Sequence, residues 1–327
     1  MLLLHHQRNK MLWCGLTCLL STACNSLSTC AALPAERAIQ NGIAMIIVGV
    51  NVLSGTMRAL KQQKKRTYSL QQTGAQLCRV LFTIANLCMQ GAAVLSEAVS
   101  THASLRLLDL SDCGLTAYGV HAISEALAQN QSLHTLMLED CQTQNPPQEQ
   151  STRAIARMLE ANSTLKHLYL GKHSLRDSDL QLLVDYGLAN NSTLELLDLR
   201  ANRLSGMCRS SLARLLAEAS SITSINLSCN RIGDEGCSAL AEGLQSSSVE
   251  ELDVRSCNIS DTGLARLAQA LLHVPAMRKV WIWDNAFGSE ASAAWQKLSE
   301  KRSGEQHLEL DIEMYSVDGK AMVAKAA

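Results

Sequence analysis

The sequence predicts an α/β solenoid, in which short parallel strands line a concave face and helices line the convex face. Three observations support this fold class. An aliphatic pattern, seen in Ile222-Thr-Ser-Ile-Asn-Leu-Ser-Cys-Asn-Arg-Ile232, returns every 27 to 32 residues, and a period in this range is typical of stacked repeats. Apolar pairs at i, i+4, such as Leu240/Leu244, follow several of these patterns, as expected for one face of a helix. Aromatic residues make up only 3% of the chain, which suits a core of repeated leucines.

The strand half of each unit keeps a constant register. Aliphatic residues predominate at its first, fourth, sixth and eleventh positions. Eight units begin at Leu77, Leu105, Leu133, Leu165, Leu194, Ile222, Val249 and Met277. Ile43–Leu53 fits the same pattern. We therefore expect a repeat domain over residues 43–302, with about eight or nine repeats.

The ninth position of each unit is expected to bond backbone groups where the chain turns away from the strand. It is filled by Ala85, Cys113, Cys141, His173, Asn202, Asn230, Cys257 and Asn285. Ala85 has no group that can make such a bond, so its unit is expected to be the weakest. Cysteine replaces Asn at this buried turn, so we expect the thiols to be reduced.

The segments outside the regular units are less informative. The run Gln142–Gln150 contains Pro146-Pro147 and is expected to be a loop inserted between two repeats. Residues 303–327 are expected to cap the solenoid, with an edge strand over 307–314 and a frayed tail rich in Ala and Lys.

Residues 1–42 leave two alternatives open. Arg8 and Lys10 precede the apolar run Met11–Cys24, which favours a targeting segment within residues 1–35. The same stretch is also compatible with a degenerate repeat or cap. The run is too short to span a membrane.

Charge is unevenly distributed along the chain. Residues 1–96 carry nine Lys and Arg against one acid, Glu36, whereas the remainder carries 20 bases and 29 acids. The basic cluster Lys61–Arg66 is expected to be a solvated connection, with a nuclear signal or anion-binding patch as alternatives. This asymmetry does not favour a uniform nucleic-acid binder.

The unit of about 28 residues resembles the ribonuclease-inhibitor class of leucine-rich repeats. The segment Asn230-Arg-Ile-Gly-Asp-Glu-Gly-Cys-Ser-Ala-Leu-Ala-Glu-Gly-Leu244 carries this resemblance most closely. Similar repeats occur in NOD-like receptors and in Ran GTPase-activating proteins. The resemblance covers Leu77 to Arg302 and implies a horseshoe with right-handed connections. It does not extend to a nucleotide-binding module, since the chain has no G-x-x-x-x-G-K-S/T motif.

Motifs for catalysis and metal binding are not found. The chain has no H-E-x-x-H, C-x-x-C, G-x-S-x-G or G-x-G-x-x-G, which are common signatures of metal, redox, hydrolase and dinucleotide sites. We expect no enzyme activity, no metal, no cofactor, no nucleic acid and no small-molecule substrate. The expected location is the cytoplasm, with an organelle or the secretory pathway as the alternative if residues 1–35 direct the chain there.

Candidate binding residues lie at the fifth and seventh positions of the units, because side chains alternate along a strand and these positions point away from the core. Two of the four tryptophans in the chain share one such strand, and exposed Trp is enriched at binding hot spots. Whether the C-terminal cap covers this pair is left open. The predicted partner-binding residues are Trp281, Trp283, Tyr169, Asp253, Arg255, Asp198 and Arg200.

These observations favour a non-enzymatic scaffold that binds a protein or peptide on its concave surface. Two alternatives stay open: a regulator of a small GTPase, and a structural subunit that docks through the basic N-terminal segment. The sequence contains no feature that identifies the partner.

Overall fold

The computed structural model describes residues 78–81, 89–141, 148–302 and 308–326. Several expectations lie outside these residues: the alternatives for residues 1–42, the unit from Ile43, the basic cluster Lys61–Arg66, Ala85, and Pro146-Pro147. The rest of the predicted solenoid can be compared with the structure directly.

A single parallel sheet of nine strands runs through the described part of the chain, and its strands follow one another in sequence order. The strands are β1 Cys78–Leu81, β2 Leu105–Asp109, β3 Thr135–Met137, β4 His167–Tyr169, β5 Leu196–Asp198, β6 Ser224–Asn226, β7 Glu251–Asp253, β8 Lys279–Trp281 and β9 Glu309–Leu310. This order is expected when each repeat adds one strand beside the previous one.

One α-helix follows each of the first eight strands and returns the chain to the start of the next. The helices are α1 Met89–Thr101, α2 Ala117–Gln129, α3 Gln148–Ala161, α4 Asp177–Tyr186, α5 Arg209–Glu218, α6 Gly233–Gly243, α7 Asp261–Leu271 and α8 Ser289–Lys301. Consecutive helices pack against one another. The predicted fold class, a solenoid of parallel strands and helices, is therefore confirmed.

The register of the sheet places equivalent residues side by side. Leu136 pairs with Leu168, Leu168 with Leu197, and Leu197 with Ile225. These fourth-position side chains are almost completely buried and form one continuous row of the core between sheet and helices. Burial of such side chains stabilises the fold by about 1.5–3 kcal/mol each, which explains why the pattern is kept from unit to unit.

The ninth-position side chains bond the backbone as expected. Asn230 Nδ2 donates to the carbonyl oxygens of Leu199 at 3.0 Å and Leu227 at 2.8 Å, and its Oδ1 accepts from Leu204 N at 3.1 Å. At Cys257 the thiol donates to Leu227 O at 3.2 Å in place of the amide. Burial raises the pKa of this thiol to about 12, so it remains protonated and unreactive at neutral pH.

A second ladder of asparagines lies where the helices end. Asn162 Nδ2 donates to Leu127 O at 2.7 Å, and its Oδ1 accepts from Leu165 N at 2.7 Å. Asn130 and Asn191 make the equivalent bonds, and all three side chains are buried. The three Asn side chains therefore belong to the architecture of the turns between helix and strand.

The residue after the seventh position adopts a left-handed backbone conformation in seven consecutive units. These residues are Asp112, Asp140, Lys172, Ala201, Cys229, Ser256 and Asp284. None of them is glycine, the residue that this conformation favours. Asp112, Asp140 and Asp284 are of a residue type that adopts this conformation more readily than most, whereas the other four residues carry no such local signal for the sharp turn.

The C-terminal segment differs from the expectation of a single edge strand and a frayed tail. Two residues of the expected strand form β9, and the chain continues as an antiparallel hairpin, β10 Ile312–Val317 and β11 Lys320–Lys325. The expectation of a frayed tail is wrong, because residues 320–325 form β11 and pair with β10. Asp318 and Gly319 form a two-residue turn with φ of 51° and 75°, the Asp-Gly combination that favours tight hairpins.

Among the described residues, none of the helices combines the length and the hydropathy that crossing a bilayer requires.

Candidate binding surface on the concave sheet

Side chains along each short strand alternate between the core and the concave surface. In β3, β4, β6 and β8 a buried central residue lies between two partly exposed ones. Tyr169, Trp281 and Trp283 are accordingly half-buried. The predicted orientation of the fifth and seventh positions is therefore observed at these aromatic residues.

Arg200 crosses an entire strand to reach its acidic partner. Its Nη2 lies 2.6 Å from both carboxylate oxygens of Glu139, although the two residues belong to units that are separated by β4. Gly171, the seventh residue of the intervening unit, makes the crossing possible. A Cβ atom at that position would lie 3.0 Å from Arg200 Cγ and 3.2 Å from Arg200 Nε.

Asp198 holds the same arginine from its own strand. Its Oδ1 accepts from the backbone N–H of Arg200 at 2.9 Å, and its Oδ2 lies 3.7 Å from Arg200 Nε. Asn226 Nδ2 donates to the same carboxylate at 3.3 Å. Asp198 is only 3% exposed, so its role in this structure is to orient Arg200 and not to offer a surface of its own.

Tyr169 lies beside this charged group. Burial raises the pKa of its hydroxyl, and the nearby carboxylates of Asp198 and Glu139 raise it further. Burial also raises the pKa of Asp198, while the backbone N–H and guanidinium of Arg200 act in the opposite direction. At neutral pH the phenol is therefore an uncharged hydrogen-bonding group on an amphipathic ring.

The pair Asp253 and Arg255 repeats this arrangement two strands further along. Arg255 Nε donates to Asp253 Oδ1 at 3.0 Å, and Nη2 donates to Oδ2 at 2.6 Å. Asp253 is 5% exposed, whereas the Arg255 side chain is 45% exposed. The hydrogen bond to Asp253 raises the pKa of Arg255. A bidentate pair of this kind fixes the orientation of the guanidinium.

The two tryptophans extend this second group. Trp281 pairs with Asp253 across β8 and β7, and Trp283 is partly buried against the core. Asp311, from the segment after β9, accepts from Ile282 N at 2.8 Å and from Trp283 N at 3.1 Å. The C-terminal segment thus fixes the backbone beside the tryptophans, while both rings remain partly exposed.

The predicted site residues therefore form two groups. The first group contains Tyr169, Asp198 and Arg200. The second group contains Asp253, Arg255, Trp281 and Trp283. The strand β6, with Asn226 on its concave side, separates them. Prediction from sequence omitted Glu139 and Asp311 from the site, because their roles depend on contacts between units. Gly171, at the seventh position of the unit from Leu165, was the only feature of the sequence that indicated the contact between Arg200 and Glu139.

Within the described residues, no three His, Cys, Asp or Glu side chains come together in a way that would hold a metal ion. The titratable side chains of the concave face are paired with each other along the sheet, as in Lys279 with Glu251 at 3.5 Å and Arg278 with Glu250 at 2.9 Å.

Comparison with known proteins agrees with this architecture. A model described as a leucine-rich repeat matches residues 101–124, 218–241 and 245–268. The chain is 26% identical over 272 residues to NACHT, LRR and PYD domains-containing protein 3 of Rattus norvegicus, covering 82% of this chain and 25% of that protein. It is 28% identical over 138 residues to the ribonuclease inhibitor of Sus scrofa, covering 42% of this chain and 30% of that protein.

Among solved structures, the leiomodin-1 actin-binding site 2 aligns with a TM-score of 0.38 and 16% identity, covering 48% of this chain and 93% of that chain. The chain spans about a quarter of the length of the NACHT-containing relatives that it matches over most of its own length.

The parallel sheet, the helices behind it and the matching repeats define a leucine-rich-repeat solenoid. Its repeats are similar to those of the ribonuclease inhibitors that it matches. Repeats of this class support protein interaction in general.

Proposed function

We propose that the chain is a non-enzymatic scaffold that binds a protein or peptide partner on the concave surface of the solenoid. The partner contacts Trp281 and Trp283 as apolar anchors and Arg255 as a charged donor. Tyr169 and Arg200 provide a second contact region on the other side of β6. Asp253 and Asp198 support this surface by holding the two arginines in place.

The observation that carries this proposal is the half-exposed tryptophan pair beside an arginine that is already fixed by Asp253. Trp, Tyr and Arg are the residues most enriched at binding hot spots. A guanidinium held in a bidentate pair loses less conformational entropy when it binds a partner than a free side chain does. The surface is therefore organised before a partner arrives.

Affinity purification of the full chain from cell extract, followed by mass spectrometry, tests this proposal. We expect Trp281→Ala/Trp283→Ala to lose the partners that the unaltered chain retains. Tyr118→Ala is the matched control, because Tyr118 is an aromatic residue that is 50% exposed on α2, away from the concave sheet. Thermal unfolding of each variant distinguishes a lost contact from a lost fold.

Retention of every partner by the double tryptophan variant would reject these residues as anchors. Proteins recovered with both variants but not with an unrelated bait would then belong to another surface. We also propose that the chain works in the cytoplasm, which fractionation of cells that express the untagged chain tests.

A further inference from the structure

The C-terminal hairpin collects exposed apolar side chains. Among the described residues, Tyr118, Tyr186 and Met207 are large apolar side chains exposed on three separate elements. Three more come together on β10 and β11. These are Tyr315, Val317 and Met322, which are 47%, 48% and 43% exposed. Contiguous apolar surface of this kind marks interaction sites, whereas single exposed side chains do not.

The pairing of the two strands shows that these side chains share one face. Tyr315 pairs with Met322, and Val317 pairs with Lys320. Directly paired residues of an antiparallel ribbon point to the same side, as do residues two apart. The opposite face is occupied, since Ile312 is buried and Met314 and Val323 pack against the core. The outward face is therefore distinct from the face that caps the solenoid.

Charges at the two ends of this outward face have opposite signs. Glu313 lies at one end, beside Ala324, and Lys320 lies at the other, beside Val317. The two ends are separated by about 14 Å of strand. Tyr315 and Met322, which carry no charge, lie between them.

This pattern is complementary to itself. A rotation of 180° about an axis that crosses the strands at Tyr315 and Met322 brings the Glu313 end of one hairpin onto the Lys320 end of another. The apolar centres then meet, and each copy supplies one acid and one base to the contact. An isologous two-fold interface requires such self-complementarity.

We propose that the outward face of the hairpin β10–β11 is a self-association surface that pairs with the same face of a second copy of this chain. The contact area of one hairpin is smaller than that of a stable interface, so the association is weak, reversible and dependent on concentration. Because the hairpin follows the last strand of the sheet, the dimer leaves both concave surfaces accessible.

Sedimentation velocity of the full chain from about 1 µM to 100 µM measures this association. We expect Glu313→Lys and Lys320→Glu each to raise the dissociation constant about tenfold, since each homodimer then places like charges together at both ends. An equimolar mixture of the two variants should recover the affinity of the unaltered chain. In the mixed dimer, each lysine meets a glutamate at both ends of the contact.

Tyr315→Ser/Met322→Ser is expected to abolish the dimer, while Tyr118→Ser leaves it unchanged. Recovery in the mixture also shows that both charge variants are folded. The proposal is overturned by a chain that stays monomeric at every concentration, by a dimer that the two charge variants do not weaken, or by a mixture that associates no better than its components.

Discussion

Arg200 forms an ion pair with Glu139 across the strand that lies between their units, in which one nitrogen, Nη2, contacts both carboxylate oxygens and the side chain passes over Gly171. This contact links three successive repeats on the concave face. In a solenoid each repeat otherwise contacts mainly its neighbours, so the pair joins units that would be independent.

The strength of this link can be measured by a double-mutant cycle with Arg200→Met and Glu139→Gln. Because the Arg200 side chain is 43% exposed, solvent screening limits the coupling to about 0.5–1 kcal/mol. Urea unfolding of the four proteins gives the coupling free energy. We expect the coupling to vanish in a Gly171→Val background, where the new side chain occupies the space under Arg200. An unchanged coupling free energy in that background would mean that Arg200 reaches Glu139 without the space over Gly171.

The asparagine ladder makes a second prediction. Asn230→Ala removes a buried amide that donates to two carbonyl oxygens and accepts from Leu204 N, and should lower the free energy of unfolding by about 3 kcal/mol. Asn230→Cys should cost less, because the thiol of Cys257 makes the equivalent of one of these bonds, to Leu227 O of the preceding unit. Asn190→Ala, at an exposed position, is the control. Equal losses for the Ala and Cys variants would show that the thiol does not substitute for the amide.

Relief of backbone strain should stabilise the rim. Ala201 has φ of 53°, a conformation that costs a residue with a Cβ atom about 1–2 kcal/mol. We therefore expect Ala201→Gly to raise the free energy of unfolding by about 1 kcal/mol, measured by urea denaturation. The same change at Ala213 in α5 should lower it by about 1 kcal/mol, because glycine is unfavourable within a helix. A destabilising effect at both positions would contradict the assignment of strain to Ala201.

Stability should decrease in mild acid through His173. Burial lowers the pKa of this side chain, so the unfolded chain binds a proton at a pH where the folded chain does not. The free energy of unfolding therefore falls as the pH drops below the ordinary histidine pKa of about 6.5. His173→Asn restores the residue that other units carry at this position and should reduce the slope between pH 7 and 5. The remaining slope comes from His102, His134 and His167, whose pKa values burial also lowers.

That comparison requires chemical denaturation at a series of pH values for the two proteins. If the free energy of unfolding falls with the same slope against pH in the unaltered chain and in the His173→Asn variant, this histidine does not account for the acid sensitivity. A higher stability of the variant at every pH would instead indicate better ladder bonds without a titration effect.

The alternation of strands and helices was predictable from the sequence because it follows from local spacing. A first aliphatic residue every 27 to 32 positions places each unit in the same register, and burial of the leucines enforces it. The Asn and Cys positions were predictable for the same reason, since they recur at the ninth position of each unit and bond equivalent backbone groups there. The composition of residues 320–325, rich in Ala and Lys, predicts a frayed tail, but the Asp318-Gly319 turn brings these residues back to pair with β10.

The sequence alone also determined which side chains face the concave surface, since a strand has a period of two. Only the tertiary structure decided what those side chains do there. Asp198 and Asp253 are buried supports, Arg200 is committed to Glu139, and Asp311 holds the strand of the tryptophans. These contacts join residues from different units, so their geometry depends on the curvature and spacing of the sheet. Periodicity specifies the position of a side chain within its own repeat, whereas packing between repeats selects its partner.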